Sequence, residues 1–193
     1  LFRSFYATAY QGVIMRNSKG FPTNALYGFI NMMNKIIKEE NPSYIMVAFD
    51  KGKTFRHDKY DDYKAGRAAM PEDLGLQFPK AKEVLDAMGI KHFEIENYEA
   101  DDIIGILANK FDGDISIFSS DHDLFQLIDD NKHIKICCMK KGMSDIGILD
   151  EKALYDEYTL KPYQIIDFKG LAGDKSDNIK GVDGVGEKTA TKL

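Results

Sequence analysis

At 193 residues, 44% of them hydrophobic and 30% charged, the chain fits one domain, or one domain with a small appendage, and can bury a substantial core. No apolar run approaches the roughly 18 residues of a membrane span, and Leu1-Phe2-Arg3-Ser4-Phe5-Tyr6-Ala7 lacks the h-region and cleavage pattern of a signal peptide. The net charge of −5 speaks mildly against a nucleic-acid binder judged by total charge, an objection that weakens if many carboxylates are gathered to hold metal.

Leu1 to Tyr10 is apolar and aromatic and reads as the end of something rather than a beginning. Gly20-Phe21-Pro22-Thr23-Asn24 is loop. Thr23 is placed to cap a helix from about Ala25 to Lys38, with Leu26, Phe29, Ile30, Met33 and Ile37 as its stripe and Asn41-Pro42-Ser43 as its end. Tyr44 to Phe49 is a short continuous apolar run, the pattern of a strand covered on both faces, and Asp50 follows directly. From Lys51 to Arg67 the character changes. Six Lys or Arg stand against three Asp, a local excess of three positive charges, and Phe55, Tyr60 and Tyr63 alternate with them. Cations interleaved with flat rings suit a nucleic-acid backbone and unstacked bases, although a solvated loop carries similar charges.

Pro71 to Met88 reads as a helix facing inward through Leu74, Phe78, Ala81, Leu85 and Met88. Gly89 stops it, and Ile90 to Ile95 is the next strand candidate. Ile103, Leu107 and Phe111 then recur at four-residue spacing, with Ile104 and Ala108 widening the face, so a helix runs from about Glu99 to Phe111. Its first turn holds Glu99, Asp101 and Asp102. Acids there complement the helix dipole at about 0.3–1 kcal/mol each. That accounts for one; three beside so apolar a stripe repel unless a cation or open water offsets the charge. Asp112-Gly113 turns the chain, Asp114 to Phe118 is a strand, and Ser119-Ser120-Asp121-His122-Asp123 opens a helix with Leu124, Leu127 and Ile128 facing in. His133 to Met139 is a further strand containing the only two cysteines, Cys137 and Cys138. Adjacent cysteines cannot build a disulfide framework or a normally spaced zinc site, and they read as core residues of a reduced intracellular protein. Glu151 to Tyr158 and Pro162 to Ala172 are helices anchored by Leu154, Ile165, Ile166 and Phe168. The alternation predicts a three-layer α/β fold with a mostly parallel central sheet flanked by helices.

Asp50 and Asp121 each lie just past the carboxyl end of a predicted parallel strand, the edge where open α/β sheets bind ligands. The helix start at Glu99 falls on the same edge. Asp50, Glu99, Asp101, Asp102, Asp121 and Asp123 are therefore expected along one rim. Hard oxygen ligands in such excess suit Mg²⁺ or Mn²⁺, while Asp121 and Asp123 taken alone also fit as helix caps. Near the end come Gly173-Asp174-Lys175-Ser176-Asp177-Asn178 and Gly184-Val185-Gly186-Glu187-Lys188-Thr189-Ala190. A Walker loop would need Lys where Glu187 stands, and a dinucleotide fingerprint Gly where Thr189 stands. Gly-Val-Gly ahead of a helix suits either a plain turn or close approach of backbone amides to phosphate.

Tyr98-Glu99-Ala100-Asp101-Asp102, Ser120-Asp121-His122-Asp123-Leu124, Gly173 to Asn178 and Gly184 to Ala190 occur in an order that resembles the flap endonuclease family, in the branch of 5′ nuclease domains found in bacterial DNA polymerase I. Phe55-Arg56-His57 and Tyr63-Lys64-Ala65-Gly66-Arg67 extend the resemblance over almost the whole chain. It implies a PIN-like single 5′ nuclease domain. An α/β core would occupy about 1–150, including a helical arch at about 51–78, and a helix-hairpin-helix-type duplex-binding module about 151–193. It also implies hydrolysis of DNA phosphodiesters at 5′ flaps, nicks and RNA-primed ends in replication and repair, by a cytoplasmic, nucleoid-associated bacterial monomer that binds no membrane. Two divalent ions are implied. Asp50, Glu99, Asp101 and Asp102 match the first metal's group, and Asp121, Asp123, Asp174 and Asp177 the second. Lys64 and Arg67 match the catalytic, positively charged residues at the foot of the arch, where they would steer and polarise the scissile phosphate. Phe55, Arg56, Tyr63, Gly184, Gly186, Lys188 and Thr189 would join them in binding DNA, with K⁺ at the Gly184 to Ala190 turn.

The family has a first strand ending in Asp-Gly just ahead of the segment matching Leu1-Phe2-Arg3. This chain begins after it and ends inside the last helix of the duplex-binding module, so the expectation is a trimmed sequence or a fragment of a longer protein, and the sequence leaves open whether a polymerase region follows Leu193. Without that ligand, a catalytically impaired binder of branched DNA is the alternative. A PIN-like ribonuclease is a further rival, and a nucleotide-dependent switch is opposed by both failed phosphate-loop patterns.

Overall fold

The computed structural model describes residues 14–139 and 146–193. The apolar opening from Leu1 to Tyr10 lies outside the described residues. The described residues fall into two compact units, one drawn from 14–47 and 68–93, the other from 48–67, 94–139 and 146–193.

In the first unit the helix Asn24–Glu40 buries Ala25, Phe29, Met33 and Ile36. The stripe is turned slightly from the expected one, because a line through 25, 29, 33 and 36 leaves Ile37 on the solvent side. Thr23 forms no side-chain cap. Its hydroxyl donates to the Met15 carbonyl at 3.3 Å, and the first-turn amides of Ala25 and Leu26 donate instead to Gln77 Oε1 at 2.9 and 3.1 Å. Gln77 Nε2 donates to Asn24 Oδ1 and the Asp73 carbonyl, so this fully buried amide is satisfied on both ends. The helix expected over Pro71 to Met88 is two, Glu72–Gly75 and Gln77–Ala87, which bury Leu74, Ala81 and Leu85 completely. Gly89 at φ +70° follows, the left-handed geometry that ends helices. Strands Met46–Ala48 and Lys91–Phe93 pair as a two-stranded sheet. Tyr44 is 87% exposed, so that end of the apolar run is not covered on both faces.

The second unit is built on a mixed three-stranded sheet. Ile115–Phe118 pairs parallel with Ile134–Met139 (Ile117 opposite Ile136), and that strand pairs antiparallel with Ile146–Leu149 (Ile136 opposite Leu149). The third strand, four residues long and interrupted by Gly147, is not among the strands expected from the sequence. Ile117, Ile134, Ile136 and Leu149 form the core with Ala108, Leu124, Phe125, Ile128, Leu154, Leu160 and Ile165. Burial of each large side chain is worth about 1.5–3 kcal/mol. The segment after Asp121 is a 3-10 helix, His122–Leu127, rather than an α-helix. Helix Glu151–Tyr158 has the expected bounds and is capped by Asp150 accepting from the Ala153 amide at 2.7 Å. Pro162–Gln164 is a 3-10 turn leading into helix Ile165–Ala172, in which Ile165 is buried but Ile166 is 63% exposed and anchors nothing. The acid-bearing helix, Ala100–Lys110, buries Ile103 and Ala108, and Phe111 at its end is exposed. Gly173–Asp174 and Ile179–Lys180 form a small antiparallel ladder, and Glu187–Ala190 is a last short helix.

Candidate active site

Asp50 follows strand Met46–Ala48, Glu99 caps helix Ala100–Lys110, and Asp121 follows strand Ile115–Phe118. Asp50 Oδ1 accepts from the Ala100 amide at 2.8 Å, which ties the first of these segments to the second. Asp121 accepts from the Asp123 amide at 3.1 Å, so it does cap its short helix, and both acids still reach the cavity. Asp174 Oδ1 collects the Ser176 amide (2.8 Å), the Ser176 hydroxyl (2.6 Å) and the Asp177 amide (3.3 Å), a tight turn that sets both aspartates on one side.

These segments line a cavity of about 410 Å³ with Asp50, Glu99, Asp101, Asp121, Asp123, Asp174 and Asp177, and Lys64, Arg67, Lys169, Ser176 and His122 line it as well. Seven of the eight sequence-selected acids thus converge. Asp102 does not line the cavity. Its carboxylate accepts two hydrogen bonds from the Arg56 guanidinium and one from the Glu99 amide. Arg56 is correspondingly committed to an ion pair, and burial of the Tyr63 ring (6% exposed) leaves it no free face for a base. Phe55 lies edge-on to Tyr98, with the Arg56 and Lys59 cations over its ring. Gly184, Gly186, Lys188 and Thr189 are exposed and outside the cavity lining.

Crowding of charge is visible in the proton equilibria. Burial, then the negative fields of Asp121, Asp50, Asp123 and Glu99, push the Asp101 carboxyl up to about 7. Asp174 goes the other way. Burial opposes its charge, but hydrogen bonds from Lys169 and Ser176 outweigh burial and hold it at about 2. Among the described residues no group of three acids or imidazoles is already drawn together as a metal site. The chain's own cations sit between the acids: Lys64 Nζ is 2.7 Å from Glu99 Oε1, Arg67 pairs with Asp177, and Lys169 Nζ lies between Asp123 and Asp174. The Tyr63 hydroxyl stands 3.1 Å from Glu99 Oε2 and 2.9 Å from Asp177 Oδ2, one proton shared by two acids. Burial, and then its bond to Asp177, keep that proton in place far above the usual tyrosine range. In kind and in charge, an excess of carboxylate oxygens offset only by movable side-chain cations fits hard divalent ions.

Sequence reasoning missed Lys169, Ser176 and His122. Lys169 is a single cation on a helix read for its apolar anchors, and only the turn at Gly173 brings it back over Asp174. His122, stacked on Phe125 (4.6 Å between ring centroids) and edge-on to Tyr158, could have been suspected only from its place between two acids.

The family pattern described as "5′-3′ exonuclease, N-terminal resolvase-like domain" matches residues 1–159, and "5′-3′ exonuclease, C-terminal SAM fold" matches 160–193. The chain belongs to the 5′-3′ exonuclease family. Within it, the chain is 48% identical over 196 residues to DNA polymerase I of Bacillus caldotenax, covering 100% of this chain and 22% of that protein. It is 40% identical over 196 residues to a 5′-3′ exonuclease of Bacillus subtilis (strain 168), covering 100% of this chain and 66% of the relative. The chain therefore spans about a fifth of the length of the DNA polymerase I relatives it matches. The same exonuclease fold recurs in the T5 D15 protein co-crystallised with metal ions (TM-score 0.72, 22% identity, 86% of this chain and 65% of that one). It recurs also in flap endonuclease-1 from Methanococcus jannaschii (TM-score 0.58, 19% identity, 100% and 68%). That is the PIN-like α/β class expected from the sequence.

Proposed function

We propose that this chain is a divalent-metal-dependent 5′-3′ exonuclease and 5′ flap endonuclease, which hydrolyses DNA phosphodiesters in replication and repair as in primer removal and nick translation. The observation that carries the reading is the meeting of Asp50, Glu99, Asp101, Asp121, Asp123, Asp174 and Asp177 at one cavity with Lys64 and Arg67. Asp50, Glu99 and Asp101 would hold one Mg²⁺ or Mn²⁺, and Asp121, Asp123, Asp174 and Asp177 the other. Asp102 serves the first group from behind, by holding the Glu99 amide and Arg56. Bound ions would supply a water of lowered pKa and neutralise charge building on the phosphate.

The chain's own residues do the rest. Lys64 and Arg67 turn their charge toward the cavity and steer a phosphate into it, since both already face acids that a dication would take over. Phe55 and Arg56 shape the entry of the strand. Gly184 at φ +81° and Gly186 have nothing within 4 Å of where a side chain would begin, which leaves their backbone open to a duplex phosphate. This turn would hold K⁺, which would supply positive charge for the phosphate, with Lys188 and Thr189 alongside. Recognition of this kind reads phosphate and shape rather than base sequence. The nuclease region would work as a monomer in the bacterial cytoplasm and in the same chain as a polymerase; only the last of these draws on the relatives, DNA polymerase I proteins of which this chain spans 22%. Among the described residues no helix is long and apolar enough to cross a membrane.

A substrate panel of 5′ flap, nick, single strand and RNA-primed duplex tests this, with Mg²⁺ and with EDTA. Flap and 5′-end cleavage should require the ion, and Asp121→Asn should lower cleavage by at least about 100-fold while binding changes little, because even outer-shell partners of a metal cost 10–100-fold. Tight flap binding without cleavage at any divalent ion would leave a branched-DNA binder. Faster cutting of single-stranded RNA would leave a PIN-like ribonuclease.

A further inference from the structure

We propose that Lys169 is a resident counter-ion of the second acid group, which holds Asp123 and Asp174 while no divalent ion is bound and competes with that ion for them. The inference rests on the metal reading of the cavity. Lys169 Nζ is 2.6 Å from Asp123 Oδ1 and 2.5 Å from Asp174 Oδ2, and its side chain is 29% exposed. Asp123 Oδ1 is buried and has no hydrogen bond of good geometry, so the ammonium's charge is what compensates it. On Asp174 the other oxygen is filled by Ser176 and the Asp177 amide, which leaves Oδ2 to the lysine alone. Each acid thus offers one oxygen, and a single ammonium takes both.

The placement is fixed by the backbone. Lys169 sits on helix Ile165–Ala172, which runs directly into Gly173 at φ +75° and then Asp174. A side chain at Gly173 would begin 2.4 Å from the Gly181 nitrogen, so the turn that folds Asp174 back under the lysine has no slack. The head group, by contrast, is free to leave. A lysine is a compact point charge on a flexible stem, and it can withdraw without refolding anything. A divalent ion brings twice the charge to the same two oxygens, and an ammonium a few ångström from it is repelled by several times thermal energy even at the effective dielectric of a protein surface. Ammonium and dication are therefore alternatives. The lysine keeps two neighbouring acids from repelling each other in the metal-free chain, and it sets a threshold that the second ion must overcome.

Mn²⁺ binding to the whole chain without DNA, followed by the electron paramagnetic resonance of the free ion, tests this on the wild type, Lys169→Met and Lys169→Arg. Lys169→Met should bind its weaker ion at least about 10-fold tighter than the wild type, melt at lower temperature in EDTA, and regain that loss in Mn²⁺. Lys169→Arg keeps the charge and should stay within about threefold of the wild type. If Lys169→Met unfolds in EDTA, Lys169→Gln retains a donor without charge and carries the same expectation. Uptake of Mn²⁺ by the wild type with equal or weaker uptake by the folded neutral variants would overturn the inference alone, making Lys169 a tether that organises the acids. No uptake by the wild type would sink the metal reading itself.

Discussion

Arg56 and Asp102 are joined by two parallel hydrogen bonds, Nη1 to Oδ2 at 2.7 Å and Nη2 to Oδ1 at 2.8 Å. The fork lowers the Asp102 pKa and raises that of Arg56, the hydrogen bond being the largest cause of each. Because Asp102 also accepts from the Glu99 amide, the pair fastens helix Phe55–Lys59 to the first turn of the acid-bearing helix. Arg56→Ala and Asp102→Ala should each cost about 1–3 kcal/mol in urea unfolding. The double variant should lose less than their sum, with a coupling of about 0.5–3 kcal/mol. Asp102→Asn should slow cleavage less than Asp101→Asn; equal losses would return Asp102 to the list of metal ligands.

Asp101 should make the metal-free fold less stable as pH rises. Its folded pKa of about 7 lies above that of an unfolded aspartate. From about pH 4 to about pH 7 the folded chain therefore holds a proton that the unfolded chain has lost, and this group's contribution falls across that window. Asp174, held at about 2, has the opposite sign: its contribution is present above pH 4 and is lost as pH falls toward 2. Asp101→Asn removes the repelled charge. It should raise the melting temperature in EDTA at pH 8 by about 2–4 °C, the shift for about 1 kcal/mol at this size, while cleavage is lost. Calorimetry near pH 6.5 in buffers of different ionisation enthalpy should find protons released when divalent ions bind. A melting temperature unchanged by Asp101→Asn at both pH 5 and pH 8 would contradict the raised pKa.

Much of this site was legible in the chain because acids at strand ends and helix starts are placed by local rules. Asp50, Asp121 and Glu99 each follow or open an element whose apolar run announces it. Asp102 stands outside the cavity lining for a reason of geometry, since residues one apart on a helix point about 100° apart and only Asp101 lines the cavity. Nothing in the sequence says which of the two will turn inward, or that Arg56, 46 positions earlier, will claim the other. Tyr63 reads as a ring for stacking until its burial is known. The strand Ile146–Leu149 is only four residues long with Gly147 inside it, too short for its period to stand out, and it is held by pairing with Ile134–Met139. Gln77, polar within an apolar helix, gave no hint that it would stand in for the absent Thr23 cap.

Tyr63→Phe separates two roles for that residue. The phenyl ring keeps the edge-on packing with His57 (5.1 Å between centroids), but Glu99 Oε2 and Asp177 Oδ2 lose the donor they share. Urea unfolding should show a loss of about 1–3 kcal/mol. Single-turnover cleavage should slow by about 10- to 100-fold through misplaced acids, with flap affinity nearly unchanged. If instead the ring served a DNA base, Tyr63→Phe would cut normally and only Tyr63→Ala would lose affinity.

Two glycines near the end of the chain should respond to alanine in different ways. At Gly181 a side chain would begin 2.4 Å from the Leu171 carbonyl oxygen and 2.4 Å from the Ala172 carbonyl carbon, both backbone atoms unable to step aside. Gly181→Ala must therefore pry the ladder Gly173–Asp174 / Ile179–Lys180 apart, carrying Asp174 and Asp177 with it. A loss of about 1–3 kcal/mol or more, as for overpacking elsewhere, should come with weakened Mn²⁺ binding. At Gly184 the space is open and only φ +81° resists, so Gly184→Ala should cost about 1–2 kcal/mol. It should leave Mn²⁺ binding intact and reduce affinity for duplex DNA. Equal Mn²⁺ affinities in the two variants would show that the acids of this loop are positioned by something other than the backbone crossing at Gly173 and Gly181.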